Sequence, residues 1–446
     1  MAQLSSGFGG QARRWAVPLL LLAEALQFTF YRNRVGDYAS PVVLYLTSVG
    51  LCFATGWVVR HQVWPPRLTA AWSERRHWWP AALALVLGLI LCLPTLKKAI
   101  QGTLPQDHSD IIPAITVYCQ RLLAGEVVHR SLTEDIGYFL EPGYLPATWF
   151  PFVIPEYFRF DYRWMSSGVM LLGIIAYLVV VVRLRRPAAV TFGLSMLPLL
   201  FAYAVLRTDA QIFTITLEPL IVGYYMLLLA AVLLPSRPLV VVMLILCLLS
   251  RFSLLFWVPL YLGLLYTQES RRLAWATAGL VLAGAVLLYV VPVLSHDWGL
   301  FMRVQNVYTA TALGEWKHLN DLGQPMHLYN GLGMTNLIFH YGPGDVLERL
   351  KLAKQVHLAA ILSVVVAMAL YYWRQRQPRT NYRVFAVIVL KLYLATFYAL
   401  LQVPYSYLAV VGFFASFYLL VMAVGPAGQE PTTPAVLLTP SFSHAA

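Results

Sequence analysis

Twelve apolar runs limit what this chain can become. They fall at about residues 15–31, 41–59, 79–96, 166–182, 188–206, 217–234, 239–249, 252–266, 274–294, 356–373, 384–401 and 405–424. Most are long enough to cross about 30 Å of hydrocarbon at 1.5 Å per residue. A backbone in hydrocarbon must satisfy its own hydrogen bonds, so each run is expected to be helical. Across 446 residues the chain is 59% hydrophobic and 12% charged, too greasy for a soluble globular fold. The reading is an all-α polytopic membrane protein with about 12 transmembrane segments.

Charge orients the runs. Arginines lie before the first run (Arg13, Arg14), between the second and third (Arg60, Arg67, Arg75, Arg76) and after the fourth (Arg183, Arg185, Arg186). Others flank the sixth and ninth (Arg237; Arg271, Arg272) and separate the tenth from the eleventh (Arg374, Arg376, Arg379, Arg383). The Lys/Arg bias puts all of these on the cytoplasmic side, with both termini. Runs 239–249 and 252–266 are each too short to span. Because Arg237 and Arg271 share a side, the pair is expected to enter and return as a re-entrant-like hairpin. Fifteen of the twenty Asp and Glu then fall outside: eight in 98–165, two in 207–218 and five in 295–355.

The net charge of +12 is therefore read as membrane orientation. No basic run carries interleaved aromatics, so nucleic acid is not an expected partner. The four cysteines imply no disulfide framework. The N-terminal stretch has a basic flank but no small-residue cleavage site, so a retained first helix is expected. Residues 425–446, rich in Pro, Thr and Ser, read as a disordered cytoplasmic tail.

The two long outer loops, 98–165 and 295–355, carry the chemistry. The first opens on Asp107-His108-Ser109-Asp110, followed by "IIPAITVYCQRLLAG". Ser109 or Asp110 reads as an N-cap, Pro113 sits in the first turn and Gly125 ends a short amphipathic helix. The same residues also read as a general base or a metal-binding pair at the membrane surface. The second loop holds His296, Glu315, His318, Asp321, His327 and His340. They are either solvated polar groups or contacts to a substrate, because no pair has the i, i+4 spacing of a zinc site on a helix. Arg251, between the two short runs, is either a snorkelling residue or an anion ligand at membrane depth. Lys391 and Glu24 are the other charges in apolar runs, and Lys391 is expected to snorkel toward the cytoplasmic side.

The first loop resembles that of the GT-C glycosyltransferases, in particular the family 87 mannosyltransferases. The matching positions are Asp110, Tyr118, Leu122-Leu123-Ala124-Gly125, Tyr144-Leu145-Pro146 and the segment from Pro151 to Pro155, about fifty residues in all. The resemblance implies a GT-C-like core over 79–424, preceded in 1–78 by two extra transmembrane helices. It also implies a polyprenyl-phosphate-sugar donor, a lipid or glycan acceptor and an inverting transfer, of a sugar such as mannose, on the outer side of a bacterial inner membrane. Asp110 would be the general base. Asp107, His108, Tyr144, Arg251, His318, His327 and His340 would bind substrate. Asp107 and Asp110 are not an Asp-x-Asp pair, so neither metal nor other cofactor is expected. Two other classes fit a polytopic chain with long outer loops: an O-antigen ligase or polymerase-like transferase using a polyprenyl diphosphate, and a non-enzymatic lipid or glycan transporter.

The topology has a direct check. In a cysteine-free background, a cysteine placed at Thr133 is expected to react with a membrane-impermeant thiol reagent in intact cells. Reaction only after permeabilisation rejects the orientation.

Overall fold

The structure is a computed structural model that describes residues 2–60, 77–101, 111–137, 141–375 and 380–425, with side chains from Trp15 onward. Of the expected tail, 425–446, all but Gly425 lies outside the described residues, as do Asp107, His108 and Asp110.

The described residues form helices joined by turns and loops, with no strand among them, and each of the twelve apolar runs falls on a helix. The chain begins with α1 (Ala2–Thr29), α2 (Ala39–Val59) and α3 (Trp78–Ile100). The first long loop folds into α4 (Ile111–Leu123) and three short helices, α5 (Thr133–Ile136), α6 (Pro146–Trp149) and α7 (Val153–Phe158). The bundle resumes with α8 (Tyr162–Arg183), α9 (Ala188–Thr208), the short α10 (Gln211–Thr214) and α11 (Glu218–Leu233). Next come α12 (Arg237–Leu248), α13 (Trp257–Gln268) and α14 (Arg271–Ala285). The second long loop carries α15 (Leu300–Lys317) and α16 (Thr335–Tyr341), and α17 (Val346–Arg374), α18 (Tyr382–Ala399) and α19 (Val410–Val424) complete the chain. Among the described residues eight helices, counting the turns that extend α14 and precede α19, are long and apolar enough to cross a membrane, and the Trp15–Thr29 part of α1, α4, α11 and α12 are shorter apolar stretches.

Polarity sorts them. Nearly every residue of α11, α18 and α19 is buried, so these form the centre of the bundle. Helices α3, α14 and α17 bury about a quarter of their residues or less and expose Trp79, Leu83, Ile90, Trp275 and Leu282. Such apolar faces suit lipid, which is as apolar as the side chains it would cover. Where α8 crosses α11 the backbones nearly touch. A side-chain carbon on Gly223 would stand 2.4 Å from the Val169 carbonyl oxygen, and one on Gly173 would meet Met226. Small residues at the crossing permit that approach.

The helix ends sort into two faces. On the Arg-rich face, Glu269 accepts from Arg383 at 2.6 Å and lies 3.7 Å from Arg237. On the acid-rich face, Arg32, after α1, pairs with Asp209, after α9, at 3.0 Å. The Arg237–Glu269 contact decides the path of α12 and α13. One continuous helix would part those residues by more than about 40 Å at 1.5 Å per residue. The segment therefore enters and returns on one face, as the charge pattern requires, and its turn points toward the acid-rich face.

Lys391 corrects the sequence reading. It does not snorkel. It is 1% exposed and bonds Glu24 Oε1 on α1 at 2.5 Å and the Gly412 carbonyl on α19 at 3.0 Å. Ser48 on α2 and Ser416 on α19 donate to the same carboxylate. A carboxylate within reach makes the interior cheaper for the ammonium than a stretched path to the surface. The ion pair also ties α1 and α2 to α18 and α19, so the two N-terminal helices are packed into the bundle.

Losing one partner strands the other charge, which costs about 3–5 kcal/mol in a buried pair. Lys391→Met and Glu24→Leu are each expected to lower the unfolding temperature in detergent sharply. The double variant is expected to recover much of the loss. Equal melting of the single variants and the wild type would show that the pair carries no such load.

Candidate functional site

The first loop is held by its ends. Arg163 at the start of α8 donates to the Ile100 carbonyl at the end of α3, 2.6 Å away, and is clamped by Asp161, which also caps α8. Helix α4 buries Ile112, Ile115, Tyr118 and Cys119 on one face. Gly125 (φ 72°) then turns the chain, as its position in the sequence implies. The buried Arg121 was not singled out from sequence. It donates to the carbonyls of Val128 (3.1 Å), Arg130 (2.8 Å) and Ser131 (2.8 Å) and pairs with Asp135, binding the return strand of the loop to α4.

Next to this clamp, the His129 ring stacks on Tyr118 at 5.3 Å and meets Trp149 edge-on at 5.7 Å. Burial among the rings pushes His129 from 6.5 down to about 4. Tyr118 in turn packs edge-on against Tyr144.

Tyr144-Leu145-Pro146 leads into α6, and α6 docks on the turn between α12 and α13. The Ala147 amide donates to the Leu249 carbonyl at 3.0 Å, and Thr148 Oγ1 donates to the Ser250 carbonyl at 2.8 Å. From α11, Tyr224 donates to the Ala147 carbonyl at 3.1 Å. Ser253, also in the turn, is bonded by Tyr225 of α11 and Tyr398 of α18, at 2.9 and 3.3 Å. The turn is thus fastened to the first loop, to α11 and to α18.

Between these parts lies a cavity of about 200 Å³. The first loop contributes Ile111, Gly143, Tyr144, Leu145 and Thr148; α11 and the residue before it contribute Leu217, Glu218 and Ile221; the turn contributes Ser250, Arg251 and Phe252. Tyr308 of α15 closes the set, in contact range of Gly143. Arg303, one turn earlier on α15, lies 3.8 Å from Glu141, so the second loop is held over the first.

The strongest electrostatic feature is a fork-to-fork ion pair. Arg251 Nη1 donates to Glu218 Oε2 at 2.8 Å, and Nη2 donates to Oε1. The Glu218 side chain is 1% exposed and that of Arg251 22%. Glu218 is the first residue of α11, where the positive end of the helix dipole also favours a carboxylate.

Of the residues singled out from sequence, Tyr144 and Arg251 line the cavity. Ile111 also lines it; Asp107, His108 and Asp110 lie outside the described residues. His318, His327 and His340 do not line the cavity. His318 follows the end of α15, His327 lies 3.6 Å from Glu315 and against the Tyr405 ring, and His340 packs among Tyr38 and Tyr341. Among the described residues no three His, Cys, Asp or Glu side chains converge as metal ligands. The sequence reading missed Glu218, whose only signal is an acid opening an apolar run, and Tyr308, which carries none.

No protein-family model matches the chain, and comparison with curated proteins and with solved structures finds no significant match.

The buried His129 gives the loop an acid sensitivity. Unfolded, the ring titrates near 6.5; folded, near about 4. Between those values the unfolded loop binds more protons, so stability is full above 6.5 and falls with pH down to about 4, by about 3 kcal/mol at most. Melting in detergent is expected to drop between pH 7 and pH 4.5, and His129→Phe to drop less. An equal drop in both would assign the acid lability elsewhere.

Proposed function

We propose that the chain is an integral membrane glycosyltransferase with twelve membrane segments, two of them the re-entrant pair α12–α13. It moves a sugar, such as mannose, from a polyprenyl phosphate to a lipid or glycan acceptor on the outer side of a bacterial inner membrane. The observation that carries the proposal is the 200 Å³ cavity on the acid-rich face. There the position next to Asp110 meets Tyr144 and a guanidinium brought up from the other side by the α12–α13 hairpin.

In this reading the acceptor hydroxyl oxygen attacks the anomeric carbon. The bond from that carbon to the phosphate oxygen breaks, and its electron pair leaves with the polyprenyl phosphate. The hydroxyl proton passes to Asp110. One carboxylate suffices, because a phosphate leaves without protonation, unlike the leaving group in glycoside hydrolysis. Arg251 receives the phosphate with donors whose fork matches its oxygens, which Lys cannot copy. The hairpin sets Arg251 at a depth where the polyprenyl tail lies in hydrocarbon while the sugar reaches the first loop. A transporter would have less use for one anion ligand at one face than for a charged path through the bundle.

The deciding measurement is mass spectrometry of lipid-linked glycans and glycoconjugates from cells with and without the protein, followed by assays of variants. Asp110→Asn is expected to insert normally and lose turnover by at least about 10²-fold, the lower end for a positioned acid–base group. Asp107→Asn is expected to cost less. Arg251→Lys is expected to weaken donor use with little change in acceptor affinity. Unchanged glycan profiles, or near-normal turnover by Asp110→Asn, would reject the assignment.

A further inference from the structure

Arg251 is not idle: both of its terminal nitrogens are already engaged by Glu218. We propose that an anion binding at Arg251 is taken up together with one proton, and that Glu218 receives it. This rests on the donor site proposed above and adds the proton stoichiometry of that site.

The argument is one of charge. Glu218 is 1% exposed, and Arg251 is its ion-pair partner. The pair is neutral, and among the described residues the cavity beside it is lined by no other Lys, Arg or His. A guanidinium has five N–H donors, so one edge can hold Glu218 while the rest face the cavity. A phosphodiester that shares Arg251 leaves the buried group with one uncompensated negative charge. A phosphodiester that draws Arg251 away leaves a bare buried carboxylate. Either costs several kcal/mol where water is scarce. A proton on Glu218 removes the excess in both cases, and the neutral carboxyl can still accept a bond from Arg251.

The surrounding groups do not substitute for it. Tyr398 of α18 lies near both members of the pair, and Tyr225 reaches the turn through Ser253. Tyr144 and Tyr308 face the cavity from the two loops. These phenols are neutral at ordinary pH and can donate a hydrogen bond without adding charge. His129 lies behind Tyr118 and Tyr144 and, titrating near about 4, is uncharged above that pH. The dipole of α11 supplies about half a positive charge, too little to balance a full negative one. The sign follows: proton uptake on binding makes affinity fall as pH rises, toward tenfold per unit.

The test uses the full-length protein in lipid nanodiscs and a farnesyl mannosyl phosphodiester, whose single charge is constant from pH 5 to 8. Calorimetric titration in two buffers of different ionisation enthalpy counts protons. The wild type is expected to take up about one proton per probe at the alkaline end, with Kd rising about tenfold per unit there. Glu218→Gln is expected to bind with no uptake and no pH dependence, while Asp110→Asn is expected to retain the uptake. Binding by the wild type without uptake overturns the proposal but leaves the donor site standing. Uptake that persists in Glu218→Gln, or disappears in Asp110→Asn, also overturns it. No binding by the wild type at any pH overturns the donor site and this proposal together. Should Glu218→Gln fail to fold, the wild-type proton count and the Asp110→Asn comparison still decide.

Discussion

A charge cannot stand alone in an apolar bundle, and much of this fold arranges for two that do not. Lys391 is answered by Glu24, with Ser48, Ser416 and the Gly412 carbonyl around them. Arg251 is answered by Glu218. Each pair joins separate helices. The first links α1, α2, α18 and α19; the second links α11 to the α12–α13 turn. The burden of desolvation thus becomes a constraint on which helices are neighbours.

The two pairs differ in a way that matters for function. Both members of the Glu24–Lys391 pair are enclosed. In the Arg251–Glu218 pair only the carboxylate is, and the guanidinium keeps an edge on the cavity. A fully enclosed pair suits a scaffold. A pair with one open member suits an exchange of partners, and it lies where the first loop, the hairpin turn and α15 come together.

The hairpin explains how that meeting is possible. Helices of 12 residues on either side of a turn reach only part of the way through a bilayer. The turn therefore stops inside the bundle, where its carbonyls at Leu249 and Ser250 are taken by α6. Irregular backbone at such depth is tolerated where protein satisfies it or where it lines a cavity, and this turn does both.

Much of this was legible in the sequence. Lengths and polarity marked the helical segments, because a 3.6-residue helix is the economical way to hide a backbone in lipid. Arginine placement implied the hairpin, because Arg237 and the positions after α13 had to share a face. The glycine signal marked the end of α4. Tertiary structure alone decided the partners. Lys391 has the same local sequence whether it snorkels or is paired, and only the packing of α1 and α2 against α18 and α19 brings Glu24 to it. Glu218 reads as one more acid at a helix start until the hairpin sets Arg251 beside it. His318, His327 and His340 looked like candidates for the cavity because they share its loop, yet α15 presents Tyr308 there instead. Sequence order carries polarity and helix ends, which are local properties. Which side chains converge depends on how helices far apart in the chain cross, and that is settled by packing and by the cost of leaving a charge unpaired.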